Sequence, residues 1–512
     1  VPFVLLYFNR HILLFKEEAA VKKGLIIYFL IFFLISIDAQ DRHYWDQAIG
    51  GRTALLGGIA VGGVNDYSAT YYNPGALGFL SKKSMNFNFN MYGIKDFSFI
   101  NGGGPGIDSR YTRVSLYPAS LAGPIPFLGD STNRFSYMIY SSGYSYVRVS
   151  ERYEGFADVI PTRPPSQPGF GNAFQGDEFL INQGKIDALL SEVTVGFGYS
   201  KKITGNVGIG FSLLGAYRDQ TKVRYESYVA YDTTYQRSAT SDLYLDIDYW
   251  AVRFSGKFGI SIMFDDLKLG ATITTPSLAI KWASGGTDYA NLNSNNVLVL
   301  IDSISNEVTP VDIIASDRQE GLPVNYKSPF SFAAGIEYKI SKASIVHFAF
   351  EWFAPLSTHV VMQPESDRFI INNPAHIRPV DSVELLRVYD SMRGVFNLGL
   401  AFEHKMNDKL TGYAAFRTDF SNANYKDIDG LAIGFTDFNI YHLTTGVSTN
   451  INNTFIGVGF EYSHGERSDF IQLFNFPTGS IAPDDIALLS KRGTCTAIYN
   501  NFNIFFGVTQ LL

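Results

Sequence analysis

From residue 80 onward the chain alternates apolar and polar side chains, segment after segment, in about fourteen runs of roughly ten residues or more. Over 84–92, Met85, Phe87, Phe89 and Met91 share one face, and Asn86, Asn88 and Asn90 share the other. Successive side chains of a strand point to opposite sides, so each run has one greasy and one wet face. A closed antiparallel barrel in a bilayer needs this pattern repeated many times, because closure is what satisfies every backbone group in lipid.

Strands are expected near 84–92, 111–121, 134–149, 192–201, 206–228, 241–264, 267–283, 329–339, 343–353, 393–405, 409–420, 435–449, 453–463 and 495–510. Their connections alternate between short ones, such as 202–205, 265–266, 341–342, 407–408 and 450–452, and long ones near 93–110, 150–191, 229–240, 284–328, 354–392, 421–434 and 464–494. Outer-membrane barrels keep short turns on the periplasmic side and long loops outside, so the alternation orients the barrel. A soluble sandwich has no reason to segregate its loops in this way.

One long run changes its apolar face part-way along. Leu243, Leu245, Ile247 and Tyr249 form the apolar set of one stretch, but from Trp250 the set moves to Trp250, Val252, Phe254, Phe258, Ile260 and Ile262. Either a bulge or a strand leaving the bilayer at an aromatic girdle accounts for the shift. In the long loop 150–191, Gly176–Leu190 is expected to form a short amphipathic helix.

Composition fits a membrane barrel: aromatics make up 15%, charged residues only 17%, and there are 47 glycines. Net charge is −7 with no basic block, which argues against nucleic-acid binding. Cys495 is the only cysteine, so no intrachain disulfide forms, and it reads as a packing residue on the last strand. Lys22 and Lys23 precede an apolar run from Gly24 to Ile37 and a small-residue site at Ala39, the plan of an export signal. That run is short for a spanning helix. Removing 1–39, including an upstream extension over 1–20, takes away four basic and three acidic residues and leaves about −8. The expected organisation is a leader over 1–39, a plug over 40–82 and an all-β transmembrane barrel of about fourteen strands over 83–512.

Residues 41–80 do not follow the strand pattern. Small residues and glycines dominate and charge is sparse, as in a segment packed inside a barrel mouth. Gly57-Gly58, then Asp66-Tyr67-Ser68-Ala69, then Tyr72-Asn73-Pro74-Gly75-Ala76-Leu77-Gly78 resemble the hatch of the FadL/TodX outer-membrane transporters. That family carries long-chain fatty acids and aromatic hydrocarbons. Its hatch usually reads Asn-Pro-Ala, where this chain has Asn73-Pro74-Gly75-Ala76. Ser328-Pro329-Phe330 through Gly335 resembles a Pro-led family strand. The resemblance implies a fourteen-stranded barrel closed by a hatch at Asp66, Asn73, Pro74 and Gly75. It implies capture of a hydrophobic ligand at the outer loops, a pocket above the hatch, and sideways exit through the wall. The plainer reading of Asn73-Pro74 is an ordinary turn.

A lateral exit needs a broken ladder, and proline, which lacks an N–H, is rare inside strands. Pro118, Gly123 and Pro124 are the candidates: Pro118 marks either a side opening or a bulge before a turn at Gly123–Pro126. A ligand carboxylate calls for a cation in a low-dielectric pocket. Arg253, Lys257 and Arg417 fall on inward faces, although lumen charges also pair with one another or hold a plug; Glu351, Glu403, Asp419 and Glu461 accompany them.

Motifs for a nucleophile elbow, a zinc protease, a CxxC pair or a P-loop are lacking, and His347 and His442 do not sit at metal-ligand spacing, so no enzyme activity, cofactor or metal is implied. The expected setting is the outer membrane of a Gram-negative bacterium. The expected partners are the lipid bilayer and a hydrophobic small molecule, for a monomer. The alternative is a barrel of the same fold that binds an envelope or secretion protein. A general porin fits poorly with a plug.

Overall fold

A computed structural model describes residues 43–130, 132–157, 178–232, 237–301, 308–367, 381–424, 431–432, 436–476 and 492–512. The leader over 1–39 lies outside the described residues. In chain order the strands are β1 (Ser84–Gly104), β2 (Ile107–Gly129), β3 (Asn133–Ala157), β4 (Glu178–Lys202), β5 (Val207–Asp232), β6 (Arg237–Met263), β7 (Leu267–Thr274), β8 (Leu278–Ile301), β9 (Val308–Leu322) and β10 (Ser331–Lys339). They continue as β11 (Ser344–Phe353), β12 (Leu356–Met362), β13 (Val388–Met392), β14 (Val395–Lys405), β15 (Leu410–Asp419), β16 (Leu431–Ala432), β17 (Ile440–Ile451), β18 (Thr454–Ile471) and β19 (Thr494–Leu511).

The main sheet closes on itself. Neighbours run β1 to β7, then β10, β11, β14, β15, β17, β18 and β19, and β19 pairs back onto β1 from Ser84↔Leu511 to Ile100↔Thr496. The architecture is thus an antiparallel transmembrane barrel of 14 strands, with each expected wall segment in place. The remaining two strands of that sheet, β8 and β9, branch from the outer half of β6, where Leu243↔Leu292 and Trp250↔Gly285 pair. The expected loop 284–328 is therefore largely a β-hairpin. The wall strand expected over 267–283 stops at Thr274, and Leu278 begins the branch.

Residues 178–190 correct the expected helix at Gly176–Leu190. They form the outer part of β4, paired with β3 from Ala157↔Glu178 to Ser145↔Leu190. Leu180, Ile186 and Leu190 are all buried and an even number of residues apart, so they share the inner face of a strand. β3 offers a ladder partner along the whole length, and that outweighs local helical preference.

The apolar shift in β6 has no bulge in the β5–β6 ladder, which runs without a break from Val207↔Ile262 to Asp232↔Arg237. The polarity of the two faces inverts instead. Below Trp250, Phe254, Phe258 and Ile260 point outward and are exposed, while above it Leu243, Leu245, Ile247 and Tyr249 point inward and are buried. Trp250 stacks with Tyr217 of β5, ring centroids 6.2 Å apart, at the level where a strand leaves the hydrocarbon. Above that level the barrel is built like a water-soluble β-protein, greasy inside and polar outside. Phe97, Phe99, Leu245, Ile247, Phe474 and Phe476 belong to its apolar core. Cys495 lies in the same core, where burial pushes its thiol up to about 12. It packs there among the apolar side chains of that core.

Candidate ligand cavity and hatch

The described part of the pre-barrel segment, 43–83, occupies the lumen. It has only single helical turns at Arg52–Leu55 and Ala69–Tyr72 and a 3-10 turn at Pro74–Phe79, so its backbone groups depend on the wall and on its own side chains. Asn73 is fully buried: its Nδ2 donates to the carbonyls of Val61 (2.9 Å) and Ile260 (3.0 Å), and its Oδ1 accepts from Gly75 N (3.0 Å). One side chain thereby ties two parts of the hatch to β6 and caps the 3-10 turn that Pro74 begins. Asp66 accepts from Ser68 N (2.9 Å) and from its hydroxyl, closing the turn before Ala69. Gly75 faces the backbone of β5 and β6 so closely that a Cβ there would lie 2.8 Å from the Gly259 carbonyl oxygen.

Charged side chains hold the other half of the hatch. Arg52 pairs with Glu403 of β14 (2.5 Å) and Glu337 of β10 (3.3 Å). Arg417 of β15 pairs with Glu461 (2.6 Å) and donates to the hatch carbonyls of Trp45 (3.0 Å), Asp46 (3.1 Å) and Gly57 (3.2 Å). Trp45 Nε1 donates to Glu351 (2.9 Å), and the backbone N–H of Trp45 to Asp419 (3.1 Å). Approach to backbone is tightest at Gly270 of β7, where a Cβ would stand 2.0 Å from the Val61 carbonyl oxygen. That neighbour is backbone and cannot swing aside. Gly270→Ala is therefore expected to destabilise the seated hatch by about 1–3 kcal/mol, read as a lower temperature for loss of the heat-modifiable folded band.

Directly above the hatch is a cavity of about 180 Å³. Its walls run from β3 (Tyr140, Ser142, Gly143) through β4 (Glu192) and β6 (Arg253, Lys257) to Tyr326, and Tyr71 of the hatch lines it too. Glu192 takes a bidentate pair from Arg253 (2.6 and 2.8 Å) and a further bond from Arg218 (3.2 Å). Both guanidinium groups lie over the Tyr326 ring, at 5.1 and 4.1 Å. Glu351 is occupied by Trp45 and by Ser331 Oγ (2.7 Å). Lys257 differs: its Nζ donates to the Tyr71 carbonyl (2.9 Å), and no carboxylate lies within ion-pair distance among the described residues. Of the three sequence candidates, Arg253 and Lys257 line the cavity, whereas Arg417 is committed to the hatch and borders only a narrow crevice of about 30 Å³ below it. Arg218, Glu192 and Tyr326 are additions. The first two were readable as inward positions of their strands; Tyr326 lies between strands and carries no such signal.

The wall beside this cavity is incomplete. β2 and β3 are long strands, yet consecutive pairs run only from Ser120↔Tyr140 to Pro124↔Ser136, with one further pair at Gly129↔Arg134. Above Tyr140, β3 pairs with β4 alone among the described residues. Pro118 sits just beyond the last pair. It faces Phe89 of β1 between two register shifts, one at Asn88/Phe89 and one at Asn90/Gly93. Gly123 and Pro124 pair with Tyr137 and Ser136, Pro124 being the last pair before a second irregularity that ends at Gly129↔Arg134, and Gly123–Pro126 runs within β2 and is not a turn. Higher up, side chains reach across to β3: Arg113 of β2 lies 4.2 Å over the Tyr146 ring, and Lys95 of β1, the strand beyond, donates to the Tyr144 carbonyl (3.2 Å).

The barrel fold has solved counterparts. The P. putida toluene transporter TodX aligns over 91% of this chain and 98% of its own, at 12% identity and a TM-score of 0.52. A Pseudomonas aeruginosa FadL homologue aligns over 93% and 99%, also at 12% identity and 0.52. The chain has the FadL-type barrel fold. No protein-family model and no curated protein matches it. At this level of identity the shared feature of the FadL-type barrels is architecture, and the residues of the cavity are this chain's own.

Proposed function

We propose that the protein passively carries hydrophobic small molecules, long-chain fatty acids among them, across the outer membrane of a Gram-negative bacterium as a monomer. On this reading the ligand is captured at the outer loops and held in the cavity above the hatch formed around Asp66, Asn73, Pro74 and Gly75. It then leaves sideways between β2 and β3. The observation that carries the proposal is the position of Tyr140, Ser142 and Gly143: they line the cavity and stand where the β2–β3 ladder stops. The two similar structures, described as a toluene transporter and a FadL homologue, support the substrate class.

Lys257 is the cavity's candidate contact for a ligand carboxylate, with Arg253 beside it, because a buried ammonium that meets the Tyr71 carbonyl and ring but no carboxylate among the described residues gains most from an anion. Lys257→Met is expected to weaken binding of a fatty acid about tenfold, about 1.4 kcal/mol, and to leave binding of a neutral hydrocarbon unchanged. Ligand titration of the purified protein, together with uptake by cells carrying the deletion, tests the proposal. Unaltered uptake after deletion, or an empty cavity and stoichiometric co-purification of another envelope protein, would overturn it in favour of a partner-binding role.

A further inference from the structure

A second recess, of about 610 Å³, lies on the outside of the wall, across β4–β7 and β10 near their periplasmic ends. The register explains it. One outward row across these strands is Tyr199, Phe211, Phe258, Ile273 and Phe332. Two residues nearer the turns, the row reads Lys201, Ile209, Ile260, Ala271 and Ala334. The next contains Ile262, Leu269 and Ile336. Two adjacent alanines thus lie between bulky rows, and the lipid face is hollow there. Phe258, Ile260 and Ile273 are exposed along its sides.

The recess has one charged side chain, Lys201, at its rim. Lys201 is exposed, stands next to the β4–β5 turn, and has no carboxylate within ion-pair distance among the described residues. A lysine at the end of a membrane strand places its stem along the apolar wall and its ammonium at headgroup level. An apolar trough leading to a single cation matches an acyl chain joined to a phosphate. We infer that this recess binds one phospholipid of the periplasmic leaflet, with an acyl chain over Ala271 and Ala334 and its phosphate at Lys201. The inner side of the same strands carries Gly259 and Gly270, against which Asn73 and Val61 of the hatch are packed. The bound chain would therefore lie across a single strand layer from the hatch.

The test uses the full chain extracted in mild detergent, exchanged into bilayer discs of phosphatidylcholine with added phosphatidylglycerol, and read by native mass spectrometry. The wild type is expected to retain one phosphatidylglycerol per monomer. Ala271→Phe fills the trough from the lipid side, away from lumen and hatch, and is expected to lower that occupancy about tenfold. Lys201→Ala, at an exposed site that does not threaten folding, is expected to lower it about fivefold, the value of one lysine near anionic lipid. Heat-modifiable mobility on a gel confirms that both variants fold. Lipid retained equally by wild type and Ala271→Phe would place it in the lumen or elsewhere and overturn the inference. So would a wild type that carries no lipid, or a lipid-free dimer joined through this face.

Discussion

Gly143→Trp is expected to slow uptake of a hydrophobic ligand about tenfold or more while leaving the barrel folded; a barrier raised by about 1.4 kcal/mol suffices. Gly143 stands on β3 at the open edge and lines the cavity. A Cβ built there meets only Glu192 and Leu190 at 3.6 and 3.8 Å, ordinary contact distances, so a side chain can grow without displacing backbone. An indole at this position lies across the proposed route from cavity to bilayer. The variant separates two steps: binding in the cavity, measured by titration in detergent, falls little, whereas transfer into vesicle lipid falls with uptake. Gly198→Trp would be a poor control, since its Cβ would lie 2.5 Å from Ser136 Oγ and disturb the hatch seat. Leu400→Trp is a better one: Leu400 is 55% exposed on β14, on the far side of the barrel from the β2–β3 gap, so it adds the same bulk outside the route. If Gly143→Trp transports at the wild-type rate, the exit lies elsewhere.

The wall strands were legible because a bilayer imposes one rule on each of them, apolar outward, and the period-two pattern reports it directly. The same rule misled above the membrane. There water lies outside and the packed core inside, so Leu243, Leu245, Ile247 and Tyr249 obey the opposite assignment on the same strand. Long intervals between membrane strands look like loops in a sequence, which conceals the β8–β9 branch and gives the outer part of β4 the look of a helix. Inward charges were legible as a set, but their partners were not. Whether a lumenal arginine faces ligand or plug depends on where the hatch carbonyls fall, and Arg52, which holds the hatch from its own side, lies in a segment with no strand parity to place it. Pro118 was readable as a break in a ladder. Which ladder breaks was not, since the missing pairs belong to β3 and the shifts to β1.

Arg417→Met should loosen the hatch more than any single apolar truncation. The substitution keeps the length of the side chain but removes the ion pair to Glu461 and three bonds to hatch carbonyls. Glu461 is 4% exposed and keeps only the Thr444 hydroxyl (3.1 Å) and the nearby His442 ring. Breaking a buried pair from one side typically costs about 3–5 kcal/mol, because the remaining charge is stranded. Amide hydrogen exchange is the suitable measurement, since protection scales with the free energy of local opening. Protection over residues 45–57 is expected to fall about a hundredfold or more, while the β-wall amides of β17 and β18 keep theirs. The double variant Arg417→Met with Glu461→Gln removes the stranded charge as well, and it is expected to recover much of the loss. If the single variant leaves hatch protection unchanged, Arg417 is not the anchor, and its guanidinium is available to a ligand. If single and double variants lose protection equally, the three carbonyl bonds, and not the ion pair, carry the anchoring energy.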